Sequence, residues 1–172
     1  MRNTHYGYVI LAFIALTMLA CMGLGRFSFG VILPFMKDGL ALDYRQAGLI
    51  GSSLFLGYLI SVTVIGFFVM HFGPKRVIII SLCTITLGMI LTGTANGFWL
   101  AYVGCLLMGI GTGGANIPGL GLISQWFAPK KRGMAMGITM AGSGIGMVFS
   151  GFIVPLLVSL SYDFCWRISW YT

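Results

Sequence analysis

Residues Tyr8–Pro34 read YVILAFIALTMLACMGLGRFSFGVILP, and Arg26 is the one charged side chain among them. An apolar run of this length exceeds the roughly 20 residues that a helix needs to cross about 30 Å of hydrocarbon. Four more apolar runs follow, at about 47–72, 77–95, 98–127 and 134–160. All five are expected to be helices, because lipid offers an open backbone no hydrogen-bond partner. A β-barrel would need short alternating segments, which this chain lacks.

Composition supports the same class. Of 172 residues, 58% are apolar and 8% charged, and mean hydropathy is +0.99. Soluble domains carry about 25% charged residues, so this chain has too few to cover a water-facing surface. The net charge of +7 reads as a topology signal and not as a phosphate-tracking stripe, and no nucleic-acid partner is expected. Cys21, Cys83 and Cys105 fall in apolar runs and Cys165 near the C-terminal end, without metal-ligand spacing, so they read as packing residues. Leu19-Ala20-Cys21 faintly imitates a lipoprotein cleavage site, but the run continues past it and more runs follow. A retained first helix is therefore expected.

Loop charges set an orientation. The N-terminus, second loop and fourth loop hold Arg2, Lys75, Arg76, Lys130, Lys131 and Arg132 with no acid. The other side holds Lys37, Arg45 and Arg167, offset by Asp38, Asp43 and Asp163. Six against three places the N-terminus in the cytoplasm of a plasma (bacterial inner) membrane protein. Trp166, Arg167, Trp170 and Tyr171 look like an interfacial belt opening a sixth span at about residue 166. The chain is therefore expected to be part of a longer protein. Gly23-Leu24-Gly25 is echoed by Gly109-Ile110-Gly111 some 86 residues later, which suits the inverted three-plus-three repeats of secondary transporters.

Two motifs carry a family resemblance. Gly66-Phe-Phe-Val-Met70-His71-Phe-Gly73-Pro-Lys75-Arg76 resembles the loop between helices two and three of the major facilitator superfamily (MFS), with Met70 where the family usually has Asp and His71 where it usually has Arg. Trp126-Phe-Ala-Pro129-Lys130-Lys131-Arg132-Gly133-Met-Ala135-Met-Gly137, followed by Ala141-Gly142-Ser143-Gly144-Ile-Gly146, is similar to the opening of helix five in that superfamily. The monocarboxylate and oxalate/formate branches come nearest. The resemblance covers the whole chain and implies an all-α membrane bundle, the N-terminal half of a twelve-helix transporter. A missing C-terminal half of the same protein is then its partner. Cys105 occupies a helix-four position where the family often has Arg, so no coupling role carries over to it.

Independent of family, Gly109/Gly113, Gly133/Gly137 and Gly142/Gly146 are small-xxx-small pairs that let helices approach closely. Gly109 to Gly114 also spells GxGxxG, but inside a span and without a preceding strand, so helix packing is the better reading. Pro34, Pro118 and Pro155 lie in or at the ends of spans, where they can bend helices.

Arg26 remains. It lies roughly 16 Å from the outer boundary by helical rise, and an ionisable residue at such depth is a functional candidate by default. No span contains Asp or Glu, so compensation must come from backbone carbonyls, the other half of the protein or a bound anion. The planar guanidinium suits a carboxylate because it donates two parallel hydrogen bonds. The competing reading is a structural cation that snorkels outward. Expected cavity neighbours are Tyr58, Asn116, Thr139 and Ser143, with Thr112 as a further polar group, although span hydroxyls commonly bond their own backbone.

The functional expectation is a transporter that moves a small organic anion by alternating access, with the lipid bilayer as its surroundings. A neutral or drug-like substrate with a structural Arg26, or a non-transporting membrane scaffold or sensor, are the alternatives. An enzyme is not expected, since the spans hold no acid, His71 sits at the cytoplasmic edge of its run, and there is no HExxH and no GxSxG. No cofactor or metal is implied. Any proton carrier is expected in the other half, or else the protein exchanges anions without one.

Overall fold

A computed structural model describes residues 4–160. Helix α1 (Thr4–Met18), a π-helical segment (Leu19–Phe27) and α2 (Ser28–Gly39) follow one another without a break as the first crossing. Then come α3 (Tyr44–Phe72), α4 (Pro74–Gly93), α5 (Phe98–Trp126) and α6 (Pro129–Leu160), with no strand among the described residues. Four helices, α3 to α6, are each long and apolar enough to cross a membrane as single α-helices. The first crossing differs from the expectation of five plain helices, because the π winding divides it into shorter α-helical pieces. The sixth span, its aromatic belt and Cys165 lie outside the described residues.

Helix ends follow local chemistry. Asp43 caps α3 in a capping box: Gln46 Oε1 accepts from the Asp43 N–H at 3.1 Å, and the Asp43 carboxylate accepts from the helix's first amides. At the other end Gly73 takes φ 80° and ψ 153°, a conformation open essentially to glycine alone. Its N–H donates to Val69 O at 3.0 Å, and Pro74 starts α4 at once, at the position where a missing N–H costs nothing. The helices run beyond the apolar runs: α4 takes in Pro74–Arg76, and α6 begins at Pro129 and includes Lys130, Lys131 and Arg132. Hydropathy marks where lipid ends, and a helix continues into the headgroup region.

Helix α5 is the hub. Over half of its apolar window, 56%, is buried, against 22% in α3 and 33% in α4. On one side a Cβ at Gly109 would run into Leu54 O of α3, and a Cβ at Gly57 of α3 would run into Leu106 O of α5. This reciprocal contact brings two parallel backbones together. On the other side Gly88 of α4 faces Gly104 O, and Gly111 faces Ser81 O and Ile85, in antiparallel order. The GxGxxG spelling is thus spent on two helix interfaces, and α5 stays α-helical through Pro118. Helices α3 and α4 touch each other far less than either touches α5.

The first crossing packs most closely on α6, and also meets α5 and α3. A Cβ on Gly23 would lie 2.5 Å from Gly146 Cα, and one on Gly142 would lie 2.7 Å from Ala15 O. Two of the three expected glycine pairs therefore make close helix contacts. Gly133 and Gly137 do not: a Cβ at either meets nothing within 4 Å, because that face of α6 is open among the described residues. Cys21 and Cys105 are buried packing residues, whereas Cys83 is exposed, since α4 meets α5 through Ser81, Ile85, Gly88 and Thr92.

Candidate functional site

Arg26 lies in the last turn of the π segment and is half-buried. Hydrogen bonding from i to i+5 shifts later side chains around the helix axis relative to an unbroken α-helix, and such turns recur at functional sites. Its guanidinium carbon stands 4.6 Å from the Tyr58 ring centroid and 4.9 Å from that of Phe55. Phe55 and Tyr58 are three apart on α3 and so share a face. Contacts of this kind contribute about 0.5–1 kcal/mol when exposed and about 2 kcal/mol when desolvated. The charge that lacks a carboxylate is met by two π faces.

Depth explains the meeting. Arg26 precedes the end of α2 at Gly39 by nearly the same number of residues as Tyr58 follows the start of α3 at Tyr44. At 1.5 Å per residue, each lies about 20 Å from the turn between them. Tyr58 was among the expected neighbours; Phe55 was missed. The signal that would have found it is an aromatic pair at i, i+3 on the next span at the depth of the buried cation.

Asn116 of α5 extends the group. Its Nδ2 donates to Tyr58 Oη at 3.3 Å, so the tyrosine hydroxyl accepts there and keeps its own proton to donate. Among the described residues Asn116 Oδ1 is buried without a hydrogen-bond partner, a condition that costs about 1–3 kcal/mol. Arg26, Tyr58 and Asn116 thus form a ladder from the first crossing through α3 to α5. The other expected polar residues donate to carbonyls of their own helices. Thr139 Oγ1 donates to Ala135 O at 3.0 Å, Ser143 Oγ to Met140 O at 2.7 Å, and Thr112 Oγ1 to Gly109 O at 2.9 Å. Each of these hydroxyl protons is used by the residue's own helix.

At the end of the bundle where α3 and α5 finish and α4 and α6 begin, the charges are cationic. Met70 is 86% exposed, and His71 stacks on Phe67 with centroids 6.1 Å apart. Arg132 Nη2 donates to Ser124 O at 2.6 Å, placing a cation on the last turn of α5, where the helix dipole favours it. Among the described residues no group of three or more His, Cys, Asp or Glu side chains is placed to hold a metal.

The family model of the Major Facilitator Superfamily matches residues 15–172. The chain is 28% identical over 146 residues to the hexuronate transporter of Bacillus subtilis (strain 168), a match spanning 85% of this chain and 34% of that protein. It is 28% identical over 134 residues to a probable sulfoacetate transporter of Cupriavidus necator, covering 78% of this chain and 31% of that one. It is 31% identical over 115 residues to probable anion transporter 4, chloroplastic, of Arabidopsis thaliana, covering 66% and 22% respectively. Among solved structures, an inward-facing, unoccupied bacterial homolog of the human lysosomal transporter Spinster superposes with a TM-score of 0.69. That match has 21% identity and covers 98% of this chain and 40% of that one. The chain belongs to the major facilitator superfamily and is an integral, multi-pass membrane protein. It spans between about a fifth and a third of the length of these curated relatives, which are transporters and not enzymes.

Proposed function

We propose that the whole protein is an alternating-access transporter of a small organic anion, and that Arg26 binds the anionic group. The observation that carries this reading is a half-buried arginine within a span, its guanidinium carbon within 4.9 Å of the Phe55 and Tyr58 ring centroids. A guanidinium presents a planar N–H fork. That fork matches a carboxylate or sulfonate edge with two parallel charge-assisted hydrogen bonds. The free proton of Tyr58 and the unpartnered Asn116 Oδ1 add a donor and an acceptor nearby. Thr139 and Ser143 were expected beside the same cleft; their hydroxyls bond α6 carbonyls, and they carry no part of the proposal. The relatives named for hexuronate, sulfoacetate and anions support this substrate class. A second half would close the cleft, and the excess of loop cations supports a cytoplasmic N-terminus in a plasma membrane.

The test is uptake of a hexuronate and of sulfoacetate by the full-length protein carrying Arg26→Ala or Arg26→Lys. Loss of the charge-assisted pair is expected to cut uptake by about tenfold or more in Arg26→Ala. Arg26→Lys, a point charge without the fork, is expected to fall between. Uptake per folded molecule unchanged in both variants would sink the anion reading. One observation favours the rival of a structural Arg26 and a neutral substrate: the two rings already compensate the charge. That rival expects Arg26→Ala to lower thermal stability while leaving uptake per folded molecule intact.

A further inference from the structure

Helices α3 and α4 are each drawn tightly onto α5 but touch one another little. They therefore leave a wedge between them, a groove of about 350 Å³. Ile65, Phe68 and Phe72 of α3 form one wall, Val77 and Ile80 of α4 the other, and Ile110 of α5 lies on the floor. Thr84 also lines it, but its hydroxyl donates to Ile80 O at 2.9 Å, which leaves the methyl group to the groove. The groove runs from Phe72 beside the Gly73 turn up to Ser61, about 16 Å at helical rise. One leaflet of a bilayer is about 15 Å of hydrocarbon, half of the roughly 30 Å core. The groove is thus as long as the acyl chain of a lipid whose headgroup sits at the turn.

The charge at its mouth has one sign. Arg76 is exposed and immediately precedes Val77 on the groove wall, whereas Lys75 belongs to the opposite flank of α4 with Ile78 and Ile79. No Asp or Glu occurs between Asp43 and Asp163. Lys130, Lys131 and Arg132 add three further cations at the same end of the bundle. We propose that the α3–α4 groove binds one anionic phospholipid, its acyl chain between the two helices and its phosphate on Arg76. Basic sites between membrane helices recognise anionic headgroups in this manner. The proposal depends on the chain lying in a membrane and not on the identity of the transported solute, so a failed uptake assay leaves it standing.

The experiment is native mass spectrometry of the full-length protein, titrated with phosphatidylglycerol or phosphatidylcholine. The wild type is expected to retain one phosphatidylglycerol in preference to phosphatidylcholine. Arg76→Ala should lower that preference about fivefold, in keeping with one basic residue at a membrane surface. Ile80→Trp, at an exposed position on the groove wall, should displace the bound lipid whatever its headgroup. Ile79→Trp, on the other flank of α4, should leave it bound. Equal retention of the two lipids by the wild type would overturn the proposal. So would retention that survives Ile80→Trp, since the lipid would then lie on the basic surface only. Absence of any retained lipid would mean that the remainder of the protein covers the groove, and would overturn it too.

Discussion

Gly23-Leu24-Gly25 and Gly109-Ile110-Gly111 have the same Gly-x-Gly spelling but opposite structural fates. The second lies in an unbroken α-helix flanked on both sides, with Gly109 against the α3 backbone and Gly111 against that of α4. The first lies in a π segment, with Gly23 against Gly146 of α6. Contact on two sides holds α5 in regular winding, because either displacement would drive it into a neighbour's carbonyls. The π segment makes its tight backbone contact at Gly23 with α6, while Cys21 packs beside Ala115 of α5 and Ile85 of α4, and Arg26 follows directly. A glycine pair therefore states that a backbone must come close; the same spelling is compatible with either winding.

This contrast is easiest to break at α5. Gly109→Ala places a methyl group on Leu54 O with no flexible side chain to yield, and an overpacked contact costs about 1–3 kcal/mol, occasionally more. A marked fall in the thermal midpoint of the full-length protein is expected, and Gly109→Leu should abolish a monodisperse preparation. Gly23→Ala meets backbone as well, yet the π segment can relax toward α geometry, so a smaller fall is expected. Rewinding would turn Arg26 away from Phe55 and Tyr58, so uptake should drop more than stability does. Equal stability losses at Gly23 and Gly109, with uptake tracking stability, would remove the distinction between the two stretches.

Smaller effects sharpen the same comparison. Tyr58→Phe keeps the ring beneath Arg26 but removes the acceptor for Asn116 Nδ2, so a loss of about 0.5–1.5 kcal/mol is expected in chemical or thermal unfolding. Uptake should suffer less than in Arg26→Ala; an equal loss would mean that the hydroxyl, and not the ring, is what Arg26 needs. At Gly133 and Gly137 an added methyl meets nothing, and replacing helical Gly by Ala gains about 0.5–1 kcal/mol. Gly137→Ala should therefore raise the thermal midpoint slightly. A fall there would mean that the rest of the protein packs on this face of α6.

Much of the bundle was legible because lipid imposes a severe rule on sequence. Tyr44–Phe72 and Phe98–Trp126 are visible as runs since each must be both apolar and self-bonded across the hydrocarbon. Helix α6 extends a few residues beyond its apolar run, at Pro129–Gly133, because hydropathy and helicity stop for different reasons. The functional group was legible in part. Arg26 stood out as the charge inside a run, and Tyr58 and Asn116 as polar groups on other spans. Phe55 was hidden, because an aromatic side chain in a membrane helix is unremarkable until a cation stands over it. Thr139 and Ser143 looked equally suitable, and nothing in their identity tells which carbonyl their protons will find.

By itself, the sequence determined that this chain lies in a membrane, roughly where it crosses, and which charge is out of place, since a single residue's transfer cost depends only on its chemistry and depth. Tertiary structure alone decided that α5 is the hub, that the first crossing winds as a π segment, and that Arg26 rests on Phe55 and Tyr58. Those outcomes depend on which backbones touch, and glycine, which permits close approach to any neighbour, does not specify one.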